Sequence, residues 1–214
     1  MNEMSAVVAF ENATLAYRGE PPVLTDVTLT IGPGLTLITG ANGSGKSTLL
    51  ETAASNLPLR SGTCSIRGVS VGDTAARRMR AYAPHEIGLI PALTLREHLI
   101  LCGRSSDDEI DAALQRWGLI DYGDLPSSEL STGNRRKSWL LMCTDDVESS
   151  CVLLDEPFNA LDEDAVEALI DTISTWLTQG RAVIVVAHAL PARVRQLATR
   201  LVAIENGEVH VADV

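Results

Sequence analysis

The stretch Gly40-Ala41-Asn42-Gly43-Ser44-Gly45-Lys46-Ser47-Thr48 decides the reading of this chain. It fits the pattern G-x-x-x-x-G-K-[ST] at every fixed position. An apolar run, Leu35 to Thr39, precedes it, and a helix is expected from about Ser47 to Leu57, with Leu49, Leu50, Ala53 and Leu57 on one face. Strand, glycine-rich turn and helix in that order suit a phosphate chain. The glycines let backbone N–H groups of Asn42, Gly43, Ser44 and Gly45 turn inward, and the positive end of the helix adds to the attraction. Lys46 then reaches the outer phosphates, and Ser47, followed by Thr48, offers a hydroxyl to Mg²⁺.

The sequence on either side extends the same architecture. Val23, Val27, Leu29 and Ile31 alternate with polar residues, as in a half-buried strand, and Pro33-Gly34 breaks it. Residues 63–71 read as a strand pair around Arg67-Gly68. Cys151 to Asp155 reads as a buried strand that is apolar up to its closing acid, and Ala182 to Ala187 is too apolar to be one-sided, as in a covered parallel sheet. Between them residues 163–178 form an expected helix with acids in its first turn and Gly180 beyond its end. Asn206-Gly207 between apolar runs signals a hairpin. Residues 93–147 differ: Thr94-Leu-Arg-Glu97 has capping-box spacing, Ile110, Ala113, Leu114 and Trp117 mark a second helix, and Ser131 opens a third. Strand–helix alternation around a helical insertion gives an α/β fold.

Two further places carry candidate chemistry. Asp155 and Glu156 follow an apolar strand; Asp155 is placed to complete a Mg²⁺ shell and Glu156 to polarise an attacking water. His188 follows the strand 182–187. Residues 40–48, 155–156 and 188 thus all sit at carboxyl ends of expected strands, where open α/β sheets place ligands. In Leu130-Ser131-Thr132-Gly133-Asn134, Ser131 reads as a helix N-cap. The cations Arg135, Arg136 and Lys137 then oppose the dipole of their own helix; they read either as solvated charges or as a hint of an anion near that end.

Composition bounds the rest. The 214 residues predict one domain with an inserted lobe. Apolar residues make up 45% and charged ones 21%, as in a globular protein. Seventeen Lys and Arg against 28 Asp and Glu give a net charge of −11, which disfavours nucleic acid and anionic membrane surfaces as partners. The cysteines 64, 102, 143 and 151 form no CxxC pair and are expected as buried, reduced thiols. Residues 1–10 carry no basic region and no signal-peptide character, and no stretch is apolar enough for a membrane helix.

Taken together, these motifs resemble the ATP-binding subunit of an ABC (ATP-binding cassette) transporter over nearly the whole chain. In that pattern residues 40–48 look like Walker A, residues 152–155 like Walker B, and Glu156 like the catalytic glutamate. Residues 130–134 look like the signature motif, Ala160-Leu161-Asp162 like the D-loop, and His188 like the switch histidine. The resemblance implies a P-loop NTPase core with a parallel sheet, an N-terminal antiparallel β lobe and an inserted helical subdomain. Residues 1–92 and 148–214 would form the core and lobe, and about 93–147 the helical part. It implies ATP and Mg²⁺ as ligands, with Lys46, Glu156 and His188 catalytic and Ser47, Asp155 and His85 near the metal. Tyr17 would stack on adenine, and Ser131 and Gly133 would meet the γ-phosphate bound by a second cassette.

Departures accompany the resemblance. His85 stands where the family has Gln, Thr132 replaces Gly and Asn134 replaces Gln in the signature, and residues 144–150 are unusually acidic. The implied protein is a homo- or heterodimeric ATPase on the cytoplasmic face of a membrane, driving separate permease subunits, with no nucleic acid partner and no regulatory extension. Two other readings stay open at this level: a cassette ATPase without a transporter, and a weakly hydrolysing nucleotide-binding regulator. Lys46→Ala is expected to lose Mg-ATP binding, measured by titration with a fluorescent ATP analogue.

Overall fold

The computed structural model describes residues 6–144 and 149–213. It contains two sheets. Strands β1 (Val8–Leu15), β2 (Leu24–Ile31), β4 (Leu59–Ile66) and β5 (Val69–Ser70) form a four-stranded antiparallel sheet in the order β2-β1-β4-β5. Strands β3 (Gly34–Gly40), β6 (Arg80–Ala83), β7 (Cys151–Asp155), β8 (Ala182–Val186), β9 (Ala198–Glu205) and β10 (Glu208–Asp213) form the second, ordered β10-β9-β3-β8-β7-β6. All neighbours in it are parallel except the β9–β10 hairpin. The expected mixed α/β fold, with an antiparallel lobe ahead of a parallel-rich sheet, is what the chain adopts.

Alternating side chains explain why β7 and β8 read as continuous apolar runs. Cys151 and Leu153 point into one core with Ala182, Ile184 and Val186; Val152 and Leu154 point into another with Val183 and Val185. The first core lies between the sheets. Phe10, Leu15 and Leu29 of the antiparallel lobe meet Leu49 and Leu50 of helix α1 (Lys46–Ala53) there. The second is closed by Leu169, Ile170, Ile173 and Trp176 of helix α6 (Glu163–Thr178), whose Asp162 side chain caps Ala165 N–H at 2.8 Å.

Helices α3 (Leu95–Leu101), α4 (Asp107–Arg116) and α5 (Thr132–Thr144) enclose a third core around Leu95, Leu99, Ile110, Leu114 and Leu141. Thr94 forms the capping box with Glu97, and Ser106 caps α4. His98 clasps the segment leading into α3. Its Nε2 accepts from Ile90 N–H at 2.8 Å, so Nδ1 carries the proton and donates to the Thr94 carbonyl at 2.7 Å. Ser127 Oγ donates to the Ile90 carbonyl from the other side.

Several boundaries differ from expectation. Helix α1 stops at Ala53 rather than Leu57: Ser55 has a left-handed φ of 61°, and Pro58 follows close behind. The strand pair expected at 63–71 begins earlier, at Leu59, and turns at Arg67-Gly68, both at positive φ. Strands β1 and β6 and the short helices α2 (Thr74–Arg77) and α7 (Ala192–Leu197) carried no periodic signal long enough to notice. Of the acidic segment 144–150, residues 145–148 lie outside the described residues. The thiols at 64 and 151 are buried and Cys143 is partly so, with burial pushing each up to about 12, but Cys102 is exposed, contrary to expectation.

Leu153 faces the core between the sheets with no exposed surface. Leu153→Ala is expected to lower stability by about 2–5 kcal/mol, read as a shift in urea midpoint.

Candidate functional site

Parallel pairing brings four strand ends level. Ile38 pairs with Val186, Val186 with Asp155, and Ala83 with Leu154, so the residues that follow β3, β8, β7 and β6 emerge along one edge. There they line an open cleft of about 300 Å³. Its walls carry Asn42, Gly43, Lys46, Ser47, His85, Asp155, Glu156 and His188, all expected from the sequence. They also carry Asn159 and Val186, which were not. Asn159 follows the acid pair by three residues, and nothing in its own spacing marked it.

The loop leading into α1 needs its glycines. A Cβ on Gly40, at φ 151°, would lie 2.5 Å from the Ile204 carbonyl oxygen and 2.6 Å from Ser44 Oγ. Gly45, the N-cap of α1 at φ 105°, presses on Leu24, whose Cγ would be 2.9 Å from a Cβ. Lys46 is buried, and its Nζ donates to the Gly40 carbonyl at 2.9 Å and the Ala41 carbonyl at 2.8 Å. An ammonium has three protons, so one remains for a ligand. Ser44, Gly45 and Thr48 build the turn and the helix beneath it without lining the cleft.

The acid pair is held differently at its two members. Asp155 is buried beside the Ser47 hydroxyl. Burial raises its pKa, and Glu156 adds to the rise; Ser47, His85 and Arg136 oppose it without cancelling it. Its Oδ1 has no hydrogen-bond partner among the described residues. Glu156 has a left-handed φ of 50°, with its N–H on the Val186 carbonyl at 2.8 Å. Its Oε2 accepts from His188 N–H at 3.2 Å, and Oε1 lies 3.4 Å from His188 Nε2. The ring of His188 thus rests against a carboxylate.

A buried carboxylate oxygen without a partner, beside a serine hydroxyl, fits a hard cation that takes oxygen ligands. Among the described residues no cluster of three or more His, Cys, Asp or Glu could hold a metal alone.

Three expected site residues stand apart from the cleft. Tyr17 lines a separate groove of about 660 Å³ with residues 16–20 and 57–60, and its hydroxyl donates to Glu51 Oε2 on α1 at 3.0 Å. Ser131 is exposed, and its Oγ accepts from Asn134 N–H at 3.1 Å, so it caps α5 as expected. Gly133, the second residue of α5, lies against the Ala160 carbonyl. The basic run after it divides. Arg136, for which full solvation was one reading, is buried and bonds to carbonyls at the rear of the cleft.

A sheet whose ligand edge is built this way belongs to the phosphate-loop class of nucleotide-binding proteins. Comparison with known proteins narrows the class. Residues 24–159 match the family described as ABC transporter. The chain is 36% identical over 175 residues to the cytochrome c biogenesis ATP-binding export protein CcmA of Ruegeria pomeroyi, covering 80% of each. It is 33% identical over 218 residues to the hemin import ATP-binding protein HmuV of Rhodococcus jostii, covering 95% of this chain and 74% of that one. A solved structure of the ATP-binding subunit of an ABC transporter superposes with a TM-score of 0.86 at 26% identity, over 97% of this chain and 90% of that one. The chain belongs to the ABC transporter family. It is an ATP-binding, ATP-hydrolysing subunit of a transporter.

Because burial favours the neutral form of Asp155, its ionised form costs stability when nothing sits at Oδ1. Asp155→Asn is therefore expected to raise the melting temperature of the nucleotide-free protein. The stabilising effect of a proton on Asp155 is complete below the ordinary carboxylate range and is lost as pH rises through the raised pKa. The gain from the variant should accordingly fade toward acid pH. The same variant should lose the additional stabilisation that Mg²⁺ gives in the presence of ATP. Differential scanning fluorimetry across pH checks both.

Proposed function

We propose that each element of the cleft serves one part of Mg-ATP hydrolysis. The observation that carries this reading is the convergence of Lys46, Ser47, Asp155, Glu156 and His188 on one space at the ends of three parallel strands. The amides of residues 42–46 and the third Lys46 proton hold the phosphate chain. Ser47 and Asp155 hold Mg²⁺, with His85 close by on the fourth strand end. Bound there, Mg²⁺ would neutralise charge on the transferring phosphoryl group.

Glu156 orients a water molecule and accepts its proton. The water oxygen forms the new bond to the γ-phosphorus while the bridging bond to the β-phosphate breaks, and ADP departs with the electron pair. His188 holds the Glu156 carboxylate through its N–H and ring, and so links the acid to the end of β8. Tyr17 supplies an aromatic face for the base, braced on α1 by Glu51.

The exposed Ser131 and the half-buried Gly133 lie outside the cleft of their own chain, at the N-terminus of α5. This supports a head-to-tail dimer, in which they meet the nucleotide held by a partner copy. Within one domain, residues 1–92 and 148–214 then form the nucleotide core and lobe, and residues 93–147 the arm that reaches the partner. Among the described residues no helix is long and apolar enough to cross a membrane. Separate permease subunits would carry the pathway, with the ATPase seated on their cytoplasmic face. The relatives named above include an export protein and a hemin import protein, so ATPases of this kind occur with either direction, and the direction and cargo here belong to the membrane subunits. The acidic net charge supports a partner set without nucleic acid.

Glu156→Gln tests the assignment. It should bind Mg-ATP as the wild type does, lose about 10²–10⁴-fold in turnover, and accumulate as an ATP-bound dimer in light scattering. Wild-type turnover in that variant overturns the role given to Glu156.

A further inference from the structure

We propose that Arg136 is a positioning residue for hydrolysis: its guanidinium ties the loop after β6 to the turn after β7, and so fixes where Glu156 stands relative to His85. The side chain leaves the fifth residue of α5 and is 2% exposed. Nη1 donates to the His85 carbonyl at 2.8 Å and the Pro84 carbonyl at 3.4 Å. Nη2 donates to the Asp155 carbonyl at 2.9 Å and to the Glu156 carbonyl. One planar fork thus addresses two segments of chain, one with each arm. A lysine ammonium, a single point on a flexible stem, has no such geometry.

The acceptors are all backbone oxygens, so what the guanidinium fixes is main-chain position. Glu156 is where this matters. It combines a φ of 50° with a following proline, and the residue before proline prefers extended backbone. Such a conformation persists only where its surroundings over-determine it. Three bonds do so here: the Glu156 N–H on the Val186 carbonyl, and, on the Glu156 carbonyl, the Arg136 guanidinium and a longer bond of 3.3 Å from Asn159 N–H. Without Arg136 only the long Asn159 bond, from within the same turn, holds that carbonyl, and the peptide can turn toward extended geometry and carry the carboxylate off His188 N–H.

Trp139, one turn further along α5, holds the same loop a second time. Its Nε1–H donates to the Pro84 carbonyl at 3.1 Å, and its ring fills the space where a Cβ on Gly88 would stand, 2.8 Å away. The helix that begins at the exposed Ser131 therefore grips the His85 loop at two levels and the acid turn at one. Fold stability alone is a weak reason to keep a buried cation whose Nε has no partner among the described residues.

The inference rests on Glu156 handling the water, and the experiment separates the two. Steady-state ATPase kinetics, Mg-ATP affinity and thermal melting are measured on the full chain as wild type, Glu156→Gln, Arg136→Met and Arg136→Lys. Arg136→Met should lose about 10²-fold in kcat, the scale of an ångström-sized misplacement, with KM and Mg-ATP affinity within about threefold of wild type. Arg136→Lys should fall between the two. Wild-type kcat in a folded Arg136→Met overturns the proposal, as does a parallel loss of kcat and affinity. Should Arg136→Met not fold, Arg136→Lys decides. A loss of kcat at unchanged affinity supports the proposal; full turnover, or a joint loss, overturns it. An active Glu156→Gln refutes the reading of the acid, whereas an inactive one beside an active Arg136→Met refutes this inference alone.

Discussion

Parallel hydrogen bonding among β6, β7, β8 and β3 is the constraint on which the rest of the molecule depends. Parallel strands share a direction, so their carboxyl ends meet on one edge, and any group that follows a strand is delivered there. The register does this closely, since Val186 pairs with both Ile38 and Asp155. No strand bears the whole site. Each, with the segment that follows it, supplies from one to four residues, and the sheet sums them. The apolar alternation in β7 and β8 is what holds that edge in place, because each strand is gripped by a core on either face.

Much of this was legible in the sequence because it obeys short-range rules. The glycine-rich turn, the acid pair after an apolar run, the capping box at Thr94 and the Asn206-Gly207 hairpin each declare themselves within a few residues. Helix α6 spans the very residues expected, since its stripe, its Asp162 cap and Gly180 agree. What stayed hidden depends on distant partners. Strand β6 has four residues and takes its identity from β7 beside it. The end of α1 came early because a left-handed Ser55 and the approaching Pro58 outweigh the apolar spacing that continues to Leu57.

Arg136 shows the limit most clearly. In sequence it is the middle of three cations at the wrong end of a helix, where the dipole disfavours them. In the fold its fork meets carbonyls that lie about fifty residues before it and about twenty after it. Local spacing holds no trace of such acceptors. The sequence offered solvent or a nearby anion as the answer to the conflict with the dipole, whereas for Arg136 the structure answers it with backbone carbonyls.

The phosphate loop attracts with backbone amides and one lysine while the chain as a whole carries eleven excess negative charges. These two act over different ranges. The amides and the ammonium are felt within a few ångströms, whereas the summed acidity extends outward and is damped over about 8 Å at physiological ionic strength. An approaching nucleotide polyanion is therefore repelled on its way in and captured only on arrival. Added salt should hasten its entry, the reverse of what a basic binding cleft would show.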